Sequence, residues 1–485
     1  MEKYVVGTKK ILKKEQVLIS MFFIAILVLS SGSMVAFAKN NAYVVKPNGS
    51  NDTADIQAAL NSCVGAGPWC TVQLVAGTYY ISQIAVTGFQ GKFVGMGQGV
   101  TIVQALPNLP SPTANPYWTA LPGPSNPWPN LFTFVGGSIY ISGMTINEPY
   151  TKALPYGFNS PAFGPTNSLE AAILVTGQQA KAAIDHVTVL GTSGDCDGTN
   201  VFWAIQFAGW LLPSAYTDPL ADTILLSGTF SVADSTFNSV NSAVWSMFLT
   251  DSYVTVSNNK ITNTPVGLSV LDVSNSKLSY FNNQATDSDY QEGIQVLQSI
   301  FRTDLSPITV YITGNTFMES GGAVGVALWD NGAAKTLNAV VTGNVVRTDT
   351  SCGCYDPTSP WYYSAIDEIA PPESIIATGN TIIGGGAAGI YVTGGPGQVV
   401  GNIITGAHDG VWVDSANNVH VVANIVKNNV QWGIAVTDGS SNNVITGNFL
   451  HGNGAYDLYW DNTGTGNVWC HNIFQTSNPS VLPSC

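Results

Sequence analysis

The chain has 485 residues, 50 of them glycine, with 45% apolar side chains, only 9% charged ones and a net charge of −14. That composition excludes a disordered chain and a helix-rich one, and describes a turn-rich β protein with a sizeable core. The acidic balance repels nucleic acid, and highly anionic polysaccharides unless a cation intervenes, so neutral or calcium-bridged glycans are the easier partners.

Reading from the N-terminus, Lys9, Lys10, Lys13 and Lys14 precede the apolar run VLISMFFIAILVL, and Ala36-Phe37-Ala38 forms an A-x-A cleavage site. Residues 1–38 therefore read as a secretory signal peptide, since the apolar run is short for a membrane span; an uncleaved anchor is the alternative. Cleavage removes five lysines and two glutamates, leaving 11 basic against 28 acidic residues and a net charge of −17. No second membrane segment follows, so the mature chain is expected to be secreted, extracellular, periplasmic or at the cell surface, without membrane contact. Seven cysteines in an exported chain point to disulfides. Cys63 with Cys70 and Cys470 with Cys485 are close enough in sequence to staple the two ends, while Cys196, Cys352 and Cys354 leave an odd count.

NDTADIQAALNSC (Asn51 to Cys63) is the one clear amphipathic helix: Asp52 is placed to cap it, and Ile56, Ala59, Leu60 and Cys63 share a face. The segments TVQLVAGTYYIS and FVGMGQGVTIV are strand and turn. Further short strands follow at SIYISGMTI, AAIDHVTVLG, FSVADSTFNSV, SYVTVSNNKI, GLSVLDVSNSKLSYFNN and GIQV. Pro107 to Asn130, Pro149 to Ser168 and Gly194 to Asp222 break the rhythm as long excursions, and long loops on a rigid scaffold are where function usually sits.

The rhythm is clearest near the C-terminus, where GIYVTGGPGQVVGNIITG, GVWVDSANNVHVVANIVKNN, GIAVTDGSSNNVITGNFLHGNG and DLYWDNTGTGNVWCHNIF repeat one phrase. An asparagine recurs at Asn380, Asn402, Asn424, Asn448 and Asn472, with spacings of 22, 22, 24 and 24. A fixed period of this length marks a solenoid, in which each repeat buries its core only by stacking on its neighbours. Strands without helical periodicity make it a β-solenoid. The asparagines read as architecture: they tolerate a left-handed corner, and stacked copies can bond each other along the axis. The coils ending at Asn315, Asn344 and Asn380 are swollen to 32, 29 and 36 residues.

A helix of the DTADIQAAL type, then AGTYYI, then a Gly-rich coil resembles the right-handed parallel β-helix proteins of the pectate lyase-like superfamily. The resemblance runs from about Tyr43 to Phe474 and implies an all-β fold: a right-handed parallel β-helix with an N-terminal capping α-helix, one domain over 39–485. Its cap spans about 43–70, its coils about 71–474 and its tail 475–485. Lyases, glycoside hydrolases, epimerases, tailspikes and accessory proteins share that fold, so it implies no single activity. The polygalacturonase-like set, the Asp-Pro-His-Asp of alginate epimerases and the pectate-lyase Arg-x-Pro-x-x-Arg are all absent: Asn263-Thr264 is followed by Pro265, and Asp356-Pro357 by Thr358-Ser359.

The swollen coils concentrate the charges. Asp287, Asp289, Glu292, Arg302 and Asp304 lie in one; Arg347, Asp349, Asp356, Asp367, Glu368 and Glu373 lie in the coil ending at Asn380, and Arg302 and Arg347 are the only arginines. Acids on stacked strands about 4.8 Å apart can face one groove, as hydrolysis needs, whereas elimination needs a base, often Arg or Lys in the superfamily the chain resembles, and a neutraliser for the uronate. Asp367, Glu368, Asp289, Arg302 and Arg347 are thus the candidate catalytic residues; solvated loop charges are the plain alternative. Aligned on the repeats, Asp367 points outward and Glu368 falls in an inward slot, where burial would raise its pKa unless a bulge intervenes. Asp367, Tyr391, Trp412, Ala435 and Tyr459 share one outward column. Tyr391, Trp412 and Tyr459 are candidate sugar-binding residues, though ordinary β-propensity also favours aromatics there. His408-Asp409 has the look of a dyad, but adjacent strand residues point to opposite faces. His186, His420, His451 and His471 fall at different phases of the coil, so no metal site is assigned.

The sequence is thus read as a secreted, polysaccharide-binding β-helix, monomeric or homotrimeric, acting as a polysaccharide lyase or glycoside hydrolase, with no required cofactor and calcium as the one possible. The alternatives are a non-catalytic surface or adhesion module and, third, a periplasmic metal-processing accessory protein.

Overall fold

The computed structural model describes residues 41–68, 70–106, 130–148, 171–191, 203–211, 223–224, 226–240, 242–264, 266–286, 292–299, 302, 304–320, 324–332, 335–349, 364–370, 373–384, 386–483 and 485. Apart from the antiparallel pair Trp210–Leu211 and Thr223–Ile224, their strands stack in parallel into a 14-stranded and a 26-stranded sheet. The larger sheet is two columns of strands, joined where Ser138–Asn147 and Ala180–Leu190 run unbroken through both. Each coil therefore has three sides. One complete turn is Ala388–Thr393 in the 14-stranded sheet, then Gly397–Val400 and Ile403–Thr405 in the larger one.

Side chains alternate inward and outward along each strand, as a pleated backbone requires. In the turn just named Ile390, Val392, Val399 and Ile404 are buried in a core that runs continuously from the first coils to the last. Among the described residues no helix is long and apolar enough to cross a membrane.

A buried ladder of asparagines holds the coils in register. Asn402 is inaccessible to solvent. Its Nδ2 donates to Asn424 Oδ1 at 3.0 Å and to the Ala377 carbonyl at 2.9 Å, while its Oδ1 accepts the backbone and side-chain N–H of Asn380, both at 2.9 Å. The same exchange links Asn259, Asn283, Asn315, Asn344, Asn380, Asn402, Asn424, Asn448 and Asn472. The ladder thus extends four rungs N-terminal to the asparagines that set the period. One expectation is corrected: the rungs are not the left-handed residues. That conformation falls on the residue before each rung, as at Gly401 with φ 65° and Ala423 with φ 55°. The rung is selected for its amide, which is fully bonded inside the core.

The helix α1, Thr53–Cys63, buries Ile56, Ala59, Leu60 and Cys63 against the first strands. Asp52 does not cap it: its carboxylate accepts the N–H groups of Asn48 at 2.6 Å and Tyr80 at 2.9 Å, and Asn51 Oδ1 takes the Thr53 N–H instead. The carboxylate thereby ties the helix entrance to the coil beneath. Disulfides Cys63–Cys70 and Cys470–Cys485 close the two ends, as their spacing suggested. Cys196, Cys352 and Cys354 lie outside the described residues, as do most of the three excursions. The third excursion needs correction, because Trp203–Ala208 within it is a strand of the 14-stranded sheet, with Ala204, Ile205 and Phe207 in the core.

Replacing Asn402 with alanine strips an acceptor from two Asn380 donors and a donor from Asn424 Oδ1. Buried groups left unpaired cost about 1–3 kcal/mol each, so a loss of about 3 kcal/mol or more is expected in denaturant unfolding. A loss within about 0.5 kcal/mol, the range of an inconsequential surface change, would show that the ladder does not hold the coils.

Candidate functional site

The outer face of the 14-stranded sheet changes character along its length. Its central outward column runs Ala85, Thr133, Leu174, Gln206, Trp245, Ser269, Gln295, Ala327, Asp367, Tyr391, Trp412, Ala435, Tyr459 and Asn478. Over the early coils it is covered: Leu174 and Ala208 are buried with half-buried Met247 in an apolar cluster of their own. From Asp367 onward it is acidic and aromatic.

Asp367 lies on the strand Ile366–Ala370, level with Ala327 below and Tyr391 above. Although outward, it is only 3% exposed. Its Oδ2 accepts the Ser364 N–H at 3.2 Å. Burial raises its carboxyl to about 7, opposed only in part by that bond. Glu368 is level with Leu328, a core position, and the register slips by one residue immediately after it, the bulge that the sequence left open.

The coils above Asp367 form a bonded network. The Tyr391 hydroxyl donates to Asp414 Oδ2 at 2.9 Å, and Thr437 Oγ1 donates to Asp414 Oδ1 at 2.7 Å while accepting the Trp412 indole N–H at 2.9 Å. The Tyr391 and Trp412 rings meet edge to face, centroids 5.1 Å apart. Burial first, then the Asp414 charge, pushes the Tyr391 hydroxyl well above its usual range, with a smaller contribution from Asp367. Asp438 is raised chiefly by its hydrogen bond with Asp414 and by that group's charge, with Asp461 adding to it. Farther along, Trp432 and Tyr459 stack in parallel with centroids 4.3 Å apart, and Tyr456 lies 6.2 Å from Tyr459.

The remaining candidates lie elsewhere. Arg302 follows the strand Glu292–Gln298; its guanidinium is buried and pairs in bidentate fashion with Asp304, at 2.9 and 2.6 Å, which lowers the Asp304 pKa. Arg347 is exposed on Val345–Asp349 of the larger sheet. Asp289 lies outside the described residues. His408 and Asp409 do meet, at 3.3 Å; Asp409 is buried, accepts the Trp432 N–H, and burial raises its pKa. Sequence reasoning missed Asp414, Thr437, Trp432 and Tyr456, whose signal was the outward position two residues beyond the column and the next aromatic at each corner.

Two groupings contain metal-capable side chains within 4.8 Å of one another. In one, Asp185, His186 and Asp234 meet on an exposed corner of the larger sheet, with His186 Nδ1 2.8 Å from Asp185 Oδ1. In the other, Cys470 and Cys485 flank His471, and their sulfurs are joined in a disulfide.

An acid whose folded pKa lies above its unfolded value binds its proton more tightly in the native state, so its contribution is full below about pH 4 and lost as pH rises to about 7. Asp367→Asn should remove that decline and raise the unfolding temperature at pH 8 relative to pH 4. Parallel stability profiles for the two proteins between those limits would show that the carboxyl is not held protonated.

Residues 361–478 match the family model described as "Right handed beta helix region". No curated protein matches the sequence. Among solved structures, the chain is similar to the Agl-KA catalytic domain at 14% identity and a TM-score of 0.49, over 90% of this chain and 68% of that one. It is also similar to the catalytic unit of a GH87 alpha-1,3-glucanase from Streptomyces thermodiastaticus, at 15% identity and a TM-score of 0.40 over 90% and 71%. The A-module of the mannuronan C-5 epimerase AlgE6 from Azotobacter vinelandii gives 14% and 0.39 over 90% and 93%. With its parallel stacks, three-sided coils and matched C-terminal repeats, the chain has the fold of a right-handed parallel β-helix.

Proposed function

We propose that this is an exported β-helix protein that binds polysaccharide along the outer face of its 14-stranded sheet and cleaves it with Asp367 as proton donor. The observation that carries this reading is the placement of a buried, neutral-form carboxyl at the end of a column of aromatic and hydrogen-bonding side chains. A carboxyl of pKa about 7 keeps a protonated population at neutral pH that an ordinary carboxyl lacks, and can release that proton to a departing glycosidic oxygen.

Cleavage by hydrolysis breaks the bond between anomeric carbon and bridging oxygen; Asp367 protonates that oxygen while a second carboxylate activates water or attacks the carbon. Asp414, Glu368 and Asp289 are the acids for the second role. Elimination would instead draw on Arg302 or Arg347, and both stand off the aromatic column, one tied to Asp304 and one on the other sheet. Hydrolysis is therefore the better-supported chemistry. Tyr391, Trp412 and Tyr459, with Trp432, supply the aromatic surface on which sugar rings pack. The leader sequence and the two disulfides support export to an oxidising compartment.

The test is a screen on a broad polysaccharide panel, following reducing ends together with the ultraviolet absorbance of unsaturated products. Reducing ends alone are expected. Asp367→Asn should lower turnover by about 10²–10⁴-fold with glycan retention intact, and Tyr459→Ala should weaken retention. Turnover unchanged in Asp367→Asn would remove the catalytic assignment; retention without turnover in the wild type would make this a binding module.

A further inference from the structure

The charge of the C-terminal coils that carry this surface narrows what it can hold. Residues 348–485 contain ten acidic side chains and a single basic one, Lys427, with no arginine. Lys427 ends the strand Ile425–Lys427, which belongs to the larger sheet and not to the face of the aromatic column. On that face the acids beside the aromatic column are Asp414, Asp438 and Asp461, with Asp367 held as the neutral acid below them, among the described residues.

The acids are also committed to particular partners. Both carboxylate oxygens of Asp414 are taken by Tyr391 and Thr437. Asp461 accepts the Asp438 N–H at 2.7 Å through Oδ2, and the Thr463 N–H and hydroxyl at 2.8 and 2.6 Å through Oδ1. Asp438, the exposed member, is already raised by its contacts with Asp414 and Asp461, so one more negative charge beside it is unfavourable. A uronate laid on this face would bring a carboxylate against Asp414, Asp438 and Asp461, with no guanidinium or ammonium among the described residues of the face to receive it. A hexose or pentose ring without charge meets no such penalty. Its apolar face can pack on Trp432, Tyr456 or Tyr459, and its hydroxyls can donate to Asp438, the exposed acid.

We infer that the ligand of this face is a neutral polysaccharide, and that polyuronates and sulfated glycans are excluded by charge. This rests on the glycan-binding reading above and makes it more specific. Uronate elimination is excluded with them, because that reaction begins by neutralising a substrate carboxylate.

The experiment is affinity electrophoresis of the protein in gels containing, separately, a neutral glucan, xylan or mannan and a polyuronate, at low salt, at about 0.5 M salt and with millimolar calcium. Retention by at least one neutral polymer that is insensitive to salt, with none by the polyuronate under any condition, is the result expected. The variant Asp438→Lys, which changes an exposed side chain, should acquire polyuronate retention that salt abolishes. Polyuronate retention by the wild type, with or without calcium, would overturn the neutral-ligand inference and leave the glycan reading standing. Retention by no polymer would overturn the glycan reading itself. If Asp438→Lys gains nothing while neutral retention persists, charge is not what selects the ligand, and the exclusion fails.

Discussion

The axial hydrogen-bond ladder is the constraint from which the rest of the molecule follows. A buried amide that must give two hydrogen bonds and receive two has one tolerable position relative to the coil on each side. The sequence separation between successive rungs varies from 22 to 36 residues, yet the side-chain bonds stay between 2.9 and 3.0 Å. Whatever the length of a coil, its rung therefore returns to the same point of the stack. Length variation cannot be absorbed by changing the pitch, because a shifted rung would leave several polar groups unpaired in an apolar interior.

The same constraint decides where chemistry can reside. Inward positions are occupied by stacked aliphatic side chains and the rungs, so variation is confined to corners and outward columns. Separations of 32, 29 and 36 residues occur consecutively, at the coils ending in Asn315, Asn344 and Asn380. Asp367 lies in the last of these, where the regular 22-residue coils begin. The acidic and aromatic surface thus starts where the swollen coils end.

The C-terminal repeats were legible because nothing interrupts them. Their period, alternation and outward column could be read by alignment alone, and Tyr391, Trp412, Ala435 and Tyr459 stack in that order. Asn259 and Asn283 were harder, since each follows another asparagine and the swollen coils hide the period. Trp203–Ala208 escaped because Gln206, its outward residue, is as buried as its core neighbours, so the strand shows no polar alternation. Asp52 misled for a different reason: an acid before a helix suits a cap, but the chain N-terminal to it and the coil below present N–H groups to the same carboxylate. The bonds among Tyr391, Asp414, Thr437 and Trp412 were invisible in sequence, because they cross coils 23–25 residues apart.

Burying a carboxyl on an outward strand position is a local conflict, and local conflicts survive only where the surroundings fix them. On a mobile loop Asp367 would turn to water and titrate near the ordinary value. Here it is carried by a strand bonded to parallel neighbours on both sides, and those strands belong to coils whose spacing the asparagines set. The Ser364 N–H gives the anion one bond, too little to offset the lost hydration, so the neutral acid persists up to about pH 7. A proton donor of this kind needs no metal or neighbouring anion to raise its pKa; it needs a scaffold that does not yield. The ladder, with no part in any reaction, is what makes the β-helix such a scaffold.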